Sequence, residues 1–219
     1  MAANRQADRR KTRTASDRRG LILCDLGNVL IRFDHRIAVR RILPYTTKSF
    51  EEIYRYFFDS PLTADYEEGR ISSRQFFARL KKDLALDGLT YKKFVPIWSE
   101  IFFPNPGMLP LLKALRRRWR LHLISNINAL HYAYIRRKFP GHIRVFDKVV
   151  LSYKVGAQKP DPRIYRRAVA GRRSAGRRVL YTDDRPDLVR AARRLGLRSI
   201  LFRSVNDFKN ELKRHGALA

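Results

Sequence analysis

Carboxylates, a hydroxyl and a lysine fall at the ends of short apolar runs along this chain. Asp25 closes Leu21-Ile22-Leu23-Cys24 and is followed by Gly27 and Asn28. Ser125-Asn126 close the run that begins at Leu121. Lys159-Pro160-Asp161 follow the run from Lys148 to Leu151. Asp183-Asp184 close the run from Val179, with Asp187 one turn further on. If the runs are strands of one sheet, these groups gather on one edge, the place where open α/β sheets bind ligands. Several carboxylates together repel one another unless a cation neutralises them. An all-oxygen set suits Mg²⁺, which favours a phosphate partner. A lysine and a hydroxyl beside it suit the remaining phosphate oxygens. A carboxylate free to attack would then form an acyl phosphate.

Those groups need a scaffold, and the spacing predicts one. The runs at 21–26, 121–125, 148–151, 179–182 and 199–202 read as strands buried on both faces. Helical spacing predicts helices over 107–118, 128–138, 162–170, 186–195 and 205–214. Asp161-Pro162 is a helix start and Gly196 a helix stop. Strands alternating with helices give an α/β fold, a doubly wound, Rossmann-like parallel sheet. Residues 36–104 break the alternation and read as helices near 36–43, 47–58, 72–86 and 90–102, the third capped by Ser72 with Gln75. A block of that length exceeds a simple crossover, so it is expected to be an inserted all-helical cap. Pro104 to Gly107 would be its exit hinge. The expected division is a core of 20–35 and 105–219, a cap of 36–104, and a basic tail of 1–19 without apolar periodicity, expected to be disordered.

Composition narrows the class. The chain has 219 residues, 44% of them hydrophobic, which excludes a disordered or collagen-like polymer. A single cysteine, Cys24, excludes a disulfide framework and a Cys-rich zinc site. The five histidines show no metal-ligand spacing. No apolar run approaches the ~18 residues of a membrane-spanning helix. A cytoplasmic protein, monomer or homodimer, is the expectation. Lys and Arg number 48 against 20 Asp and Glu, a formal charge of +28, and non-specific polyanion binding through the basic surface is one expected consequence.

Taken in order, the motifs resemble those of the haloacid dehalogenase superfamily of hydrolases. Asp25-Leu26-Gly27-Asn28-Val29-Leu30 resembles its first motif, Ser125 the second, Lys159-Pro160 the third and Asp183-Asp184 the fourth. The resemblance covers roughly 20–205, and the helical insert falls where the family's first type of cap belongs. Glu68-Gly69-Arg70-Ile71-Ser72, Ser125-Asn126 and the run 159–165 suit the subgroup of bacterial glucose-1-phosphate phosphatases and epoxide hydrolase N-terminal phosphatase domains. The resemblance implies a Mg²⁺-dependent phosphatase acting on a small phosphorylated metabolite. Asp25 would be the nucleophile. Asp25, the Gly27 carbonyl and Asp184 would ligate Mg²⁺. Ser125, Asn126 and Lys159 would hold the phosphoryl group, with Asp183 and Asp187 in supporting positions behind them.

Two positions depart from the family pattern. Most members carry a second Asp where this chain has Gly27, and that Asp protonates the leaving group. Leu188 stands where an Asn is common in the fourth motif. Without an acid at 27, good leaving groups should react fastest, unless a cap residue such as Asp34 or His35, or an ordered water, supplies the proton. Two rival functions follow from the same residues. One is metal-free dehalogenation by Asp25, against which the acidic pair 183–184 argues. The other is a catalytically weakened scaffold that binds nucleic acid or another polyanion, for which no binding motif is present.

Overall fold

The computed structural model describes residues 20–170 and 178–218; the basic tail of 1–19 lies outside the described residues. Five parallel strands form the central sheet. They are β1 (Gly20–Cys24), β4 (Trp119–Ser125), β5 (Lys148–Leu151), β6 (Arg178–Asp183) and β7 (Arg198–Leu201), in the order β5-β4-β1-β6-β7. β1 is buried along its whole length because it lies at the centre with both faces covered. Its side chains alternate. Leu21 and Leu23 pack with Ile164, Tyr165 and Ala192, while Ile22 and Cys24 pack on the opposite face with Leu112 and Phe208.

Helices supply both covers. On one side are α10 (Pro162–Val169) and α11 (Pro186–Arg194); on the other are α6 (Met108–Leu115), α7 (Ala129–Lys138) and α12 (Val205–Arg214). Two short helices, α8 (Pro140–Arg144) and α9 (Ser152–Val155), sit in the connections beside β5. Asp161 caps α10, accepting from Arg163 N at 2.7 Å. No helix among the described residues is long and apolar enough to cross a membrane.

The insert is joined by a feature the pattern did not predict. β2 (Ile31–Phe33) and β3 (Phe102–Pro104) pair antiparallel, so the entering and leaving chains form one ribbon. Asn105 fastens its base, donating from Nδ2 to the Val29 carbonyl at 2.7 Å. Between the two strands lie α1 (His35–Ile42), α2 (Phe50–Asp59), α3 (Pro61–Glu67), α4 (Ser73–Asp83) and α5 (Tyr91–Ser99). Ser72 and Gln75 form the expected capping box on α4, and Ser49 with Glu52 forms another on α2. α3 was not predicted; Pro61 starts it and Ser60 caps it.

Phe57, Tyr66, Phe76, Phe94 and Trp98 fill the interior of this helical block. Trp98 also stacks on His131 of α7, with ring centroids 4.9 Å apart. The two aromatic interiors are therefore continuous, which holds the insert against the sheet's helices.

Candidate active site

β1 and β6 are neighbours, but their following chains leave in opposite directions, β1 toward β4 and β6 toward β7. That reversal opens a crevice at the carboxyl ends of the two strands. Asp25 follows β1 and Asp183 ends β6, so both stand at the crevice.

Lys159 comes from the loop between α9 and α10 and is buried between Asp25 and Asp183. Its Nζ donates to Asp25 Oδ1 at 2.5 Å and to Asp183 Oδ2 at 2.7 Å. Asp183 is fully engaged: the Tyr181 hydroxyl also donates to Oδ2, and Arg185 N donates to Oδ1. Asp25 Oδ2, by contrast, accepts no hydrogen bond from a described residue and lies on the Gly27 side. Asp184 is tied to the loop after β1 by Asn28, whose Nδ2 donates to its Oδ2 at 3.1 Å. Asn28 holds φ +54°, which turns the chain back toward that acid.

One oxygen of each of Asp25, Asp183 and Asp184 lies within 4.8 Å of the others. Among the described residues, Lys159 alone donates side-chain hydrogen bonds to two of the three carboxylates. Burial pushes the Asp25 carboxyl up to about 7; the Lys159 ammonium opposes that shift and Asp183 adds to it. Burial raises Asp184 as well, against the hydrogen bond from Asn28. Buried carboxylates in excess of their cations form a site for an added cation. The donor set is all oxygen, which fits Mg²⁺ rather than a softer metal. The Gly27 carbonyl accepts from Val29 N at 2.6 Å, leaving it one further lone pair.

These groups form the floor of a cavity of about 420 Å³. Asp25, Gly27, Asn126, Lys159, Asp183 and Asp184 all line it. Asn126 grips the Lys159 backbone at both ends of its amide, accepting from Lys159 N at 2.7 Å and donating to Lys159 O at 3.0 Å. Ser125 is buried at the end of β4 and does not line the cavity; its hydroxyl donates to the Asn126 carbonyl at 3.3 Å. Ser125 is not the cap of the next helix either, since Asn128 is. Asp187 lies on the surface in an ion pair with Arg185, away from the three-carboxylate cluster.

The walls come from the insert, and most of them were not foreseen. His35, Phe57, Phe58, Thr63, Glu67 and Trp98 face the site across the cavity. Phe57 and Phe58 fall at the end of the helix predicted near 47–58, where helical spacing alone does not mark a cavity role. Glu67 sits one residue before the Glu68-Gly69 pair that the motif drew attention to. Of the two foreseen proton donors, Asp34 caps α1 and does not line the cavity. His35 does, with a buried Nδ1 that has no hydrogen-bond partner among the described residues, and burial lowers its imidazole to about 4.

The chain matches the haloacid dehalogenase-like hydrolase family over residues 20–196 and belongs to it. It is a hydrolase of that family, and its relatives include phosphatases. It is 29% identical over 175 residues to the pyrimidine 5'-nucleotidase YjjG of Escherichia coli K12, covering 74% of this chain and 76% of that one. It is 23% identical over 197 residues to the D-ribitol-5-phosphate phosphatase of Bacteroides thetaiotaomicron, covering 87% and 95%. Among solved structures, it superposes on a haloacid dehalogenase family enzyme of Bacteroides thetaiotaomicron in complex with magnesium and inorganic phosphate. That match has a TM-score of 0.75 and 22% identity, over 88% of this chain and 98% of that one.

Proposed function

We propose that this chain is a Mg²⁺-dependent phosphohydrolase that acts on a small phosphorylated metabolite, such as a sugar phosphate, through a phosphoaspartate on Asp25. The observation that carries the proposal is the bridge from Lys159 to Asp25 and Asp183, with Asp184 beside it, on the floor of the cavity under the insert. Asp25 Oδ1 is held by the ammonium, which fixes the carboxylate and leaves Oδ2 to attack phosphorus. Lys159 also draws off charge from the phosphoryl oxygens. Asp183 keeps Lys159 in place, and Asn126 fixes the loop that carries it. Asp25, Asp184 and the Gly27 carbonyl would hold Mg²⁺. When bound, the ion would neutralise the approaching phosphate dianion. Asn126 acts through the Lys159 loop it fixes; Ser125 would have to turn its hydroxyl from the Asn126 carbonyl to reach a phosphoryl oxygen, and Asp187 its carboxylate from Arg185 to reach the surroundings of the metal.

The nucleotidase and polyol-phosphate phosphatase relatives support a phosphate monoester as substrate. A metal-free dehalogenase would have no use for Asp184 beside the bridged pair. A panel of phosphate monoesters with and without Mg²⁺, run on the wild type and on Asp25→Asn, tests the proposal. Hydrolysis that needs both Mg²⁺ and Asp25 is expected. Turnover in excess chelator, or undiminished in Asp25→Asn, would refute it.

A further inference from the structure

Ester cleavage leaves an alkoxide that needs a proton, and no side chain at position 27 can give one. The floor of the cavity offers no donor either. Asp25 is the attacking group, Lys159 is committed to two carboxylates, Asp183 is held by three hydrogen bonds, and Asp184 is assigned to the metal. Four titratable groups remain on the walls: His35, His131, Glu67 and Arg185, and the Arg185 guanidinium, ion-paired with Asp187, keeps its proton. His131 is used up by structure, paired to Asn128 through Nδ1 and to the Trp98 carbonyl through Nε2. Burial lowers His35 to about 4, which disfavours its charged form, and the ring is clamped between those of Phe33 and Phe58, at 4.8 and 4.9 Å. A neutral imidazole is a far weaker general acid near neutral pH than a carboxyl that titrates there.

We propose that Glu67, at the end of α3 on the cavity wall, is the acid–base residue of the reaction. The inference rests on the phosphatase reading above. Asp25 Oδ2 attacks phosphorus, the phosphorus–ester oxygen bond breaks, and the departing oxygen takes the proton from the Glu67 carboxyl. In the second step the Glu67 carboxylate takes a proton from water as the water oxygen attacks phosphorus. The bond to Asp25 then breaks, its electron pair returns to the aspartate, and Glu67 is left protonated as at the start.

Position and chemistry both favour Glu67. α3 is pinned to the sheet's connections from both sides. Gln158 Nε2 donates to the Ala64 carbonyl at 3.2 Å, and Leu130 N donates to the Tyr66 hydroxyl at 3.3 Å. Just beyond Glu67, Gly69 meets the Tyr153 carbonyl so closely that a Cβ would lie 2.2 Å from its oxygen. Glu67 is therefore held at a fixed place over the site. Its neighbour Glu68 is ion-paired to Arg70, but no described residue hydrogen-bonds the Glu67 carboxyl. Burial pushes that carboxyl up to about 7, against the fields of Arg185 and Lys159, so both protonation states are populated near neutrality.

The test compares wild type, Glu67→Gln and Glu67→Asp on aryl phosphates of graded leaving-group pKa and on an alkyl phosphate, with Mg²⁺. Wild type should show a shallow leaving-group dependence, in place of the steep one expected from Gly27 alone. Glu67→Gln should lose roughly 10²–10⁴-fold in kcat on the alkyl ester and under roughly 10-fold on the most activated aryl ester. Glu67→Asp should recover part of the alkyl rate, which a variant that merely misfolds would not. Equal losses on all esters, or no loss, would overturn the assignment while leaving the phosphatase reading intact. No Mg²⁺-dependent hydrolysis by wild type would refute that reading, and this inference with it.

Discussion

The ring of Phe33 stands where a side chain at position 27 would begin: a Cβ on Gly27 would lie 2.9 Å from Phe33 Cε1. Phe33 ends the β2 strand of the ribbon and packs against the rings of His35 and Phe102, at 4.8 and 6.1 Å. The missing acid at position 27 is thus matched by a wall that fills its place.

Gly27→Asp alone is therefore expected to destabilise the protein by about 1–3 kcal/mol through overpacking. Adding Phe33→Leu should recover part of that loss. Denaturant unfolding of the two variants checks this. A Gly27→Asp protein as stable as wild type would show that the ring moves freely.

Lys159→Met leaves Asp25 and Asp183 buried without their counter-charge. A loss of about 3–5 kcal/mol is expected near neutral pH. The Asp25 carboxyl already sits high, at about 7, so in metal-free protein the folded state binds its proton more tightly than the unfolded state does. Acidification below 7 should therefore relieve the variant, and adding Asp183→Asn should relieve it at every pH. Unfolding in chelator as a function of pH measures both effects.

His35 and His131 give the opposite sign. Burial lowers them to about 4 and about 3 from 6.5, so the unfolded chain takes up protons that the folded one refuses. Each costs the fold up to about 1.4 kcal/mol per pH unit on acidification below 6.5. The raised carboxyls of Asp25 and Glu67 offset this over much of the same range. His35→Phe removes one histidine's share and an unpartnered buried nitrogen. Its stability relative to wild type should rise as pH falls from 6.5 toward 4. A difference independent of pH would mean that His35 titrates normally.

Asn126→Ala removes both clasps on the Lys159 backbone. A loss of about 1–3 kcal/mol in stability is expected. A fall of about 10²-fold in kcat should accompany it, since a nucleophile held less well is a nucleophile misplaced. Comparing kcat with KM separates this from substrate contact, which would raise KM instead.

Much of the sheet and its site could be read from the sequence because burial on both faces leaves continuous apolar runs. The strand at 148–151 was placed to the residue, and the others within two. Asp25, Lys159, Asp183 and Asp184 each end or follow such a run, so topology alone brings them together. The ribbon of Ile31–Phe33 with Phe102–Pro104 escaped because three residues carry no period. α3 escaped for a related reason: seven residues make fewer than two full turns of apolar repeat. With α3 went Glu67, whose importance is visible only once the insert is folded over the crevice. Ser125 and Asn126 show the reverse limit. The motif placed them at the site, but only the structure shows Asn126 spending its amide on Lys159 rather than facing the cavity with it free.

The most direct test of the central claim is to trap the covalent intermediate. Wild-type protein mixed with an activated aryl phosphate and Mg²⁺, quenched in acid and digested, is analysed by mass spectrometry. The account predicts a phosphoryl adduct on Asp25, labile to hydroxylamine and lost in Asp25→Asn. Turnover of the ester with no adduct on Asp25, or an adduct on another residue that persists in Asp25→Asn, would contradict it.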